Sequence, residues 1–239
     1  MTLQTARNNT CEACPTRAVC LASDVEGSAL EALADCVRPG GTLHKGDFLY
    51  RAGDDADRCY VVRSGVFKTF TVTAAGDEYV VGFHYPGTLI GLTGQASGCH
   101  TDSAVALETG TACRIRLEDM PALWEIGSGG SLMRLLGESE EIAANDHINL
   151  GQARADARVA GFLLQLSRRH GRLGRDRQVL HTPMSRTDLS NYLGMTLECL
   201  SRVLSRFGKA GLISTRRGEI VLERPAELAT LAFHLPDGH

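Results

Sequence analysis

The 239-residue sequence contains no run of apolar residues approaching the roughly 18 that a membrane span requires. Its opening, MTLQTARNNT, lacks the apolar stretch of a signal peptide, so the expected location is the cytoplasm, with no membrane partner. A reducing compartment argues against a disulfide framework for the eight cysteines; clustered cysteines there bind metal or do redox chemistry. Enzymatic signatures are missing as well. The histidines and carboxylates in the glycine-punctuated middle of the chain keep neither facial-triad nor zinc-binding spacing, and the chain is read as not an enzyme.

Charge is small in total and uneven in distribution. The formal net charge is −3, but up to Leu150 there are 11 basic against 20 acidic residues, and after it 14 basic, nearly all arginine, against 8 acidic. A basic C-terminal part is the footprint of contact with a polyanion.

From Gly40 to about Leu117 short β-branched or aromatic runs are punctuated by Gly46, Gly53, Gly65, Gly76 and Gly87, the rhythm of a small antiparallel barrel or roll. Phe48 to Tyr50, Tyr60 to Val62, Val66 to Val72 and Tyr79 to Phe83 are the strand candidates. Helical patterning returns near Met120, and a proline-free stretch from about Ser131 to Ala153 predicts a long connecting helix. Its apolar residues do not keep a clean heptad, and Glu140, Asp146 and His147 interrupt the seam that would pair two copies.

Beyond a helix at about Ala153 to His170, the residues from Ser185 to Gly211 predict two short helices. Ser185 caps the first, Gly194 breaks it, Thr196 caps the second and Gly211 stops it, which is a helix-turn-helix. Strands around Leu212 to Ser214 and Ile220 to Leu222 then form a wing, with Arg216 and Arg217 at its tip positioned for phosphates. Backbone contact is assigned to Ser185 and Thr196 too. On the second helix Glu198, Ser201 and Arg202 share one face near the N-terminal end, where a recognition helix meets bases. Arg202 can donate to guanine O6 and N7, Glu198 can accept from cytosine N4, and Ser201 suits either base. Leu200, Val203, Leu204 and Phe207 fall on the opposite, anchoring face.

Cys11, Cys14 and Cys20 lie close together near the N-terminus, an arrangement expected of an iron–sulfur or zinc site. A thioredoxin-type pair at Cys11 and Cys14 is disfavoured, because no strand precedes it and no tryptophan flanks it. Three thiolates do not close a four-iron cluster. Cys113 sits in the predicted strand Thr111 to Leu117 on the same side as Ile115, and by period alone reads as a core residue.

The helix-turn-helix, the triplet Glu198-x-x-Ser201-Arg202, and the stretches GDFLYRAGD (46–54), VRSGVFK (62–68) and GDEYVVGFH (76–84) together resemble the CRP/FNR family, FNR-type subgroup, over nearly the whole chain. The resemblance implies an α+β fold: an antiparallel β-roll of the cyclic-nucleotide-binding kind as sensory domain, a long dimerisation helix and a C-terminal winged helix-turn-helix. The corresponding division is a cluster-binding arm at 1–22, the roll at 23–130, the dimerisation helix at 131–153 and the DNA-binding domain at 154–239. It further implies that Cys11, Cys14, Cys20 and Cys113 hold a 4Fe-4S cluster (2Fe-2S after oxygen exposure), leaving Cys36, Cys59, Cys99 and Cys199 without a match, Cys99 being the alternative fourth ligand. The implied function is oxygen-responsive control of anaerobic genes by a homodimer that binds double-stranded DNA at a TTGAT-N4-ATCAA-like palindrome and contacts RNA polymerase. Other effectors are the alternative: a nucleotide, nitric oxide, a gas bound to haem through His44, His84 or His100, or zinc at the cysteines. A nucleotide phosphate would want a glutamate after Gly87 and an arginine about ten residues later, yet no arginine lies between Thr88 and Cys113.

Overall fold

The computed structural model describes residues 11–232, and the chain divides into two compact units, Met1–Glu140 and Glu141–His239. The first unit begins, within the described residues, with an arm of consecutive turns. Helix α1 (Gly27–Cys36) follows, then strands β1 (Val37–Pro39), β2 (Phe48–Tyr50), β3 (Arg58–Ser64), β4 (Phe67–Val72), β5 (Glu78–His84), β6 (Leu89–Ile90), β7 (Ser103–Ala106) and β8 (Thr111–Arg116). Helices α2 (Met120–Glu125) and α3 (Gly129–Leu150) come next. The strands form two antiparallel four-stranded sheets, β1-β8-β3-β6 and β2-β7-β4-β5, the expected roll.

Side-chain alternation along β3 explains why this unit has two cores. Tyr60 and Val62 point into a cluster with Tyr50, Phe67, Ile90, Ala104 and Ala106, contributed by both sheets. Cys59 and Val61 point the other way, into a cluster with Leu21, Val25, Leu33, Ile115, Leu123, Leu132 and Leu135. That second core is where the arm, α1, α2 and the start of α3 pack on the outer face of the first sheet. Leu21, Leu33, Leu123 and Leu135 are essentially fully buried, and each such side chain contributes roughly 1.5–3 kcal/mol of burial. The arm comes so close to the β-roll that a Cβ on Gly87 would stand 2.8 Å from Val19 Cγ2, and Gly87 also has φ +86°. Only glycine meets both demands.

The second unit holds the rest of α3, then α4 (Ala155–Arg172), β9 (Val179–His181), α5 (Arg186–Tyr192), α6 (Leu197–Lys209), β10 (Ile213–Arg216), β11 (Glu219–Leu222) and α7 (Pro225–Leu231). Helix α3 ends at Leu150, short of Ala153: the Gly151 amide still bonds to the His147 carbonyl, but the next amide, of Gln152, bonds three residues back to Asn149 as the chain turns. The wing has a third strand beyond the expected hairpin: β9 pairs with β11, giving the order β10-β11-β9. None of the described helices is long and apolar enough to cross a membrane.

Candidate cysteine pocket and DNA-reading helix

The arm wraps its sulfurs inward through short backbone bonds. The Cys14 amide donates to the Cys11 carbonyl (3.3 Å), Arg17 to Cys14 (3.1 Å) and Cys20 to Arg17 (3.1 Å). Arg17 fixes the turn from its side chain, donating from Nε to the Ala22 carbonyl (3.3 Å) and from Nη2 to the Val25 carbonyl (2.9 Å). Opposite the arm, Cys113 stands on β8 between Pro39 of β1 and Val61 of β3, its register partners. Cys11, Cys14, Cys20 and Cys113 all line one pocket, partly open to solvent, with Thr16, Arg17, Pro39, Val61 and Arg63 among its other walls. Cys113 is therefore buried in the core, as strand period predicts, and also faces the arm thiols.

The electrostatics follow from that crowding. Burial, opposed by the Leu21 and Ala22 backbone amides, pushes the Cys20 thiol up to about 11. Burial first and the Cys20 thiol second push Cys113 up to about 12, with the Arg63 guanidinium opposing. Cys11 is raised by burial and then by Cys14, and Arg63 and Arg17 pull it down. Thiols in this state are protonated at neutral pH until a cation displaces their protons. Among the described residues, no three His, Cys, Asp or Glu side chains converge on a single point suited to a metal ion. The four thiols line a common space, and soft sulfur donors grouped in this way are the donor set that would suit an iron–sulfur group.

Of the remaining cysteines, Cys59 is fully buried in the same core, Cys36 packs at its edge, Cys199 is half-buried on α6, and Cys99 is exposed in the loop that pairs with Asp55. None of the four lines the pocket. Sequence reasoning did not mark Arg17, Arg63, Pro39 or Val61 as walls of this pocket, because a wall built from three separate segments leaves no local pattern.

In the helix-turn-helix, Ser185 and Asp188 form a reciprocal capping box on α5: the Asp188 amide donates to Ser185 Oγ at 3.0 Å and the Ser185 amide to Asp188 Oδ2 at 3.3 Å. Gly194, at φ +59°, makes the turn. Thr196 Oγ1 accepts from the Cys199 amide at 3.2 Å and caps α6. Leu200, Val203, Leu204 and Phe207 are buried, while Glu198, Ser201 and Arg202 are exposed on the other side. Backbone and Thr196 hydrogen bonds, and then Arg202, hold the Glu198 carboxyl below its ordinary value. No ion pair joins Glu198 to Arg202 among the described residues, so both remain available to an outside partner. Arg206, by contrast, is committed to Asp156.

Arg216 and Arg217 are exposed at the turn between β10 and β11. A groove between the start of α5, α6 and β10 is lined by Arg186, Ser201, Ser205, Lys209 and Thr215. Only Ser201 of these was expected from the sequence. The basic excess of this unit, in which Lys209 is the sole lysine, is the signal that could have marked Arg186 and Lys209; Ser205 and Thr215 carry none.

A helix-turn-helix with a wing, downstream of a β-roll, defines a DNA-binding transcription regulator, and comparison with known proteins narrows the class. Residues 157–231 match the Crp-like helix-turn-helix domain and residues 41–126 the cyclic nucleotide-binding domain. The chain is 37% identical over 224 residues to the transcriptional activator protein Anr of Pseudomonas aeruginosa, covering 93% of this chain and 92% of that protein. It is 34% identical over 233 residues to the fumarate and nitrate reduction regulatory protein of Escherichia coli K12, covering 94% and 90%. The solved structure of FixK2 from Bradyrhizobium japonicum superposes with a TM-score of 0.71 at 26% identity, covering 83% of this chain and 98% of that one. The chain belongs to the CRP/FNR family of transcription regulators.

A match to the cyclic nucleotide-binding domain describes a fold. Within the roll Asp102 is buried, its carboxylate accepting from Tyr50 Oη at 3.3 Å and Thr93 Oγ1 at 2.5 Å.

Proposed function

We propose that this protein is an oxygen-responsive, cytoplasmic transcription regulator whose homodimer binds DNA while Cys11, Cys14, Cys20 and Cys113 hold a 4Fe-4S cluster. The observation that carries the reading is the meeting of three arm thiols and one strand thiol in a single pocket. When bound, such a cluster supplies iron and sulfide that react with oxygen. The chain supplies the rest. The four thiols give up their protons and bridge arm to β-roll, the apolar walls from Val37, Pro39 and Val61 limit water, and Arg17 and Arg63 offset the negative charge of the ligand set. The relatives are named as a transcriptional activator and as a regulator of fumarate and nitrate reduction, which fits an activator of genes used without oxygen.

On the DNA side, Arg202, Glu198 and Ser201 read base edges of a TTGAT-N4-ATCAA-like site, and Ser185, Thr196, Arg216 and Arg217 meet the backbone. A two-fold symmetric site calls for two copies, paired through helix α3 in the proposed dimerisation segment 131–153, and an activator bound there contacts RNA polymerase. The proposed division keeps the arm at 1–22, the roll at 23–130 and the DNA-binding domain at 154–239.

Anaerobic purification with iron and acid-labile sulfide assays tests the sensor. The expected result is about four iron and about four sulfide per chain, visible absorbance near about 400 nm that bleaches in air, and loss of both in Cys113→Ser. A colourless protein that still binds DNA would remove the cluster and leave the DNA-binding reading standing.

A further inference from the structure

The turn that carries Cys20 is fastened to helix α3 by hydrogen bonds from two side chains on one face of that helix. Arg134 Nη2 donates to the Cys20 carbonyl oxygen at 3.2 Å and to Ser23 Oγ at 3.2 Å, while its Nη1 donates to Glu138 Oε1, one turn further on, at 3.1 Å. Three residues before Arg134, Ser131 has no exposed surface; its Oγ donates to Asp24 Oδ2 at 2.6 Å and lies 3.0 Å from Ser23 Oγ. Beneath this polar layer Leu21, Ala22 and Val25 pack in one cluster with Leu132 and Leu135. Cys20 thus faces two ways: its sulfur lines the pocket and its carbonyl is held by the helix.

We infer that Arg134 and Ser131 are positioning residues that couple the state of the cysteine pocket to helix α3, and through it to pairing with a second copy. The inference rests on the cluster reading above. With the Cys20 sulfur held, the 20–24 turn is fixed, and both the Cys20 carbonyl and the Asp24 carboxylate stay where Arg134 and Ser131 need them. If the sulfur is released, the turn can move only by leaving the buried Ser131 hydroxyl without its acceptor, or by taking the start of the helix with it. The two arrangements differ in hydrogen bonding at the helix, which is the differential interaction a coupling between sites requires.

The test measures dimer dissociation by sedimentation for the iron-loaded and air-exposed forms of the full chain, in the wild type, Arg134→Met, Arg134→Lys and Ser131→Ala. The readout is the ratio of the two dissociation constants. The wild type is expected to dimerise about tenfold more tightly when loaded. Arg134→Met should bring the ratio close to one while iron content and visible spectrum stay at the wild-type level, Ser131→Ala should lower it, and Arg134→Lys should restore part of it. A wild-type ratio in Arg134→Met, or a variant that loses iron or thermal stability yet keeps the ratio, overturns the coupling. A loaded wild type with a ratio of one overturns it too. A wild type that carries no iron overturns the cluster reading and this inference with it.

Discussion

The two functional regions of this chain are built in opposite ways. The helix-turn-helix proposed to read bases lies within one continuous stretch, Ser185 to Gly211, whose caps, turn glycine and apolar face are all local signals. The cysteine pocket joins the arm to strands β1, β3 and β8, so it exists only after the β-roll has folded and the arm has docked on it. The first presents Glu198, Ser201 and Arg202 to solvent, in the part of the chain that carries the basic excess. The second is largely buried and thiol-rich, and its groups take up charge only when a cation arrives. A local site can be read from sequence by period and capping; a site assembled from distant segments cannot.

If the comparison is right, damage to one region should leave the other's chemistry intact. The largest expected effect comes from the anchor of the recognition helix. Phe207 is 2% exposed, and Phe207→Ala should cost about 3–5 kcal/mol and melt the second unit early in calorimetry, with the iron content of anaerobic preparations unchanged. Loss of iron in that variant would show that the regions are not separable.

A next effect, of about 2–3 kcal/mol, belongs to the thiols and has a definite sign. Burial raises Cys20 from 9.0 to about 11, so in the metal-free protein the folded state holds this proton more tightly than the unfolded chain does. That contribution is present below pH 9.0 and is lost as the pH rises towards about 11. Denaturant titrations of the metal-free protein at a series of alkaline pH values should show the fall, and Cys20→Ser should remove its share while leaving that of the still higher Cys113 and Cys59.

Smaller effects sharpen the DNA side. Arg202→Ala should cost about 1–3 kcal/mol at the specific site and relax preference at one base pair, measured against a panel of single-base variants. An unchanged preference would mean that another face of α6 reads the bases. Thr196→Ala removes the acceptor for the Cys199 amide and should cost about 1 kcal/mol of stability in thermal unfolding, without altering base preference.

Much of the fold was legible because its signals are local. Gly65, Gly76, Gly194 and Gly211 all have positive φ where the sequence demanded turns, and Ser185 and Thr196 cap the helices they precede. Strands β1, β6, β7 and β9 were not legible. They are two to four residues long and owe their existence to the partners they pair with. Helix α1 went unread for a related reason, since a short helix packed on the outer face of a sheet draws its stability from that packing. Cys113 shows the limit most clearly. Alternation along β8 puts it on the same side as Ile115 whether it is a packing residue or a ligand, and the support for the proposed ligand role comes from its position across from Cys11, Cys14 and Cys20.

The central claim is that oxygen at the cysteine pocket controls DNA binding by the other unit. The most direct measurement is fluorescence anisotropy of a labelled TTGAT-N4-ATCAA duplex titrated with anaerobically purified protein, repeated after timed exposure to air while the visible spectrum is recorded on the same samples. The account predicts that affinity for the duplex falls in step with the loss of absorbance, and that Cys113→Ser starts at the air-exposed affinity. Full affinity retained after the absorbance has gone would contradict it.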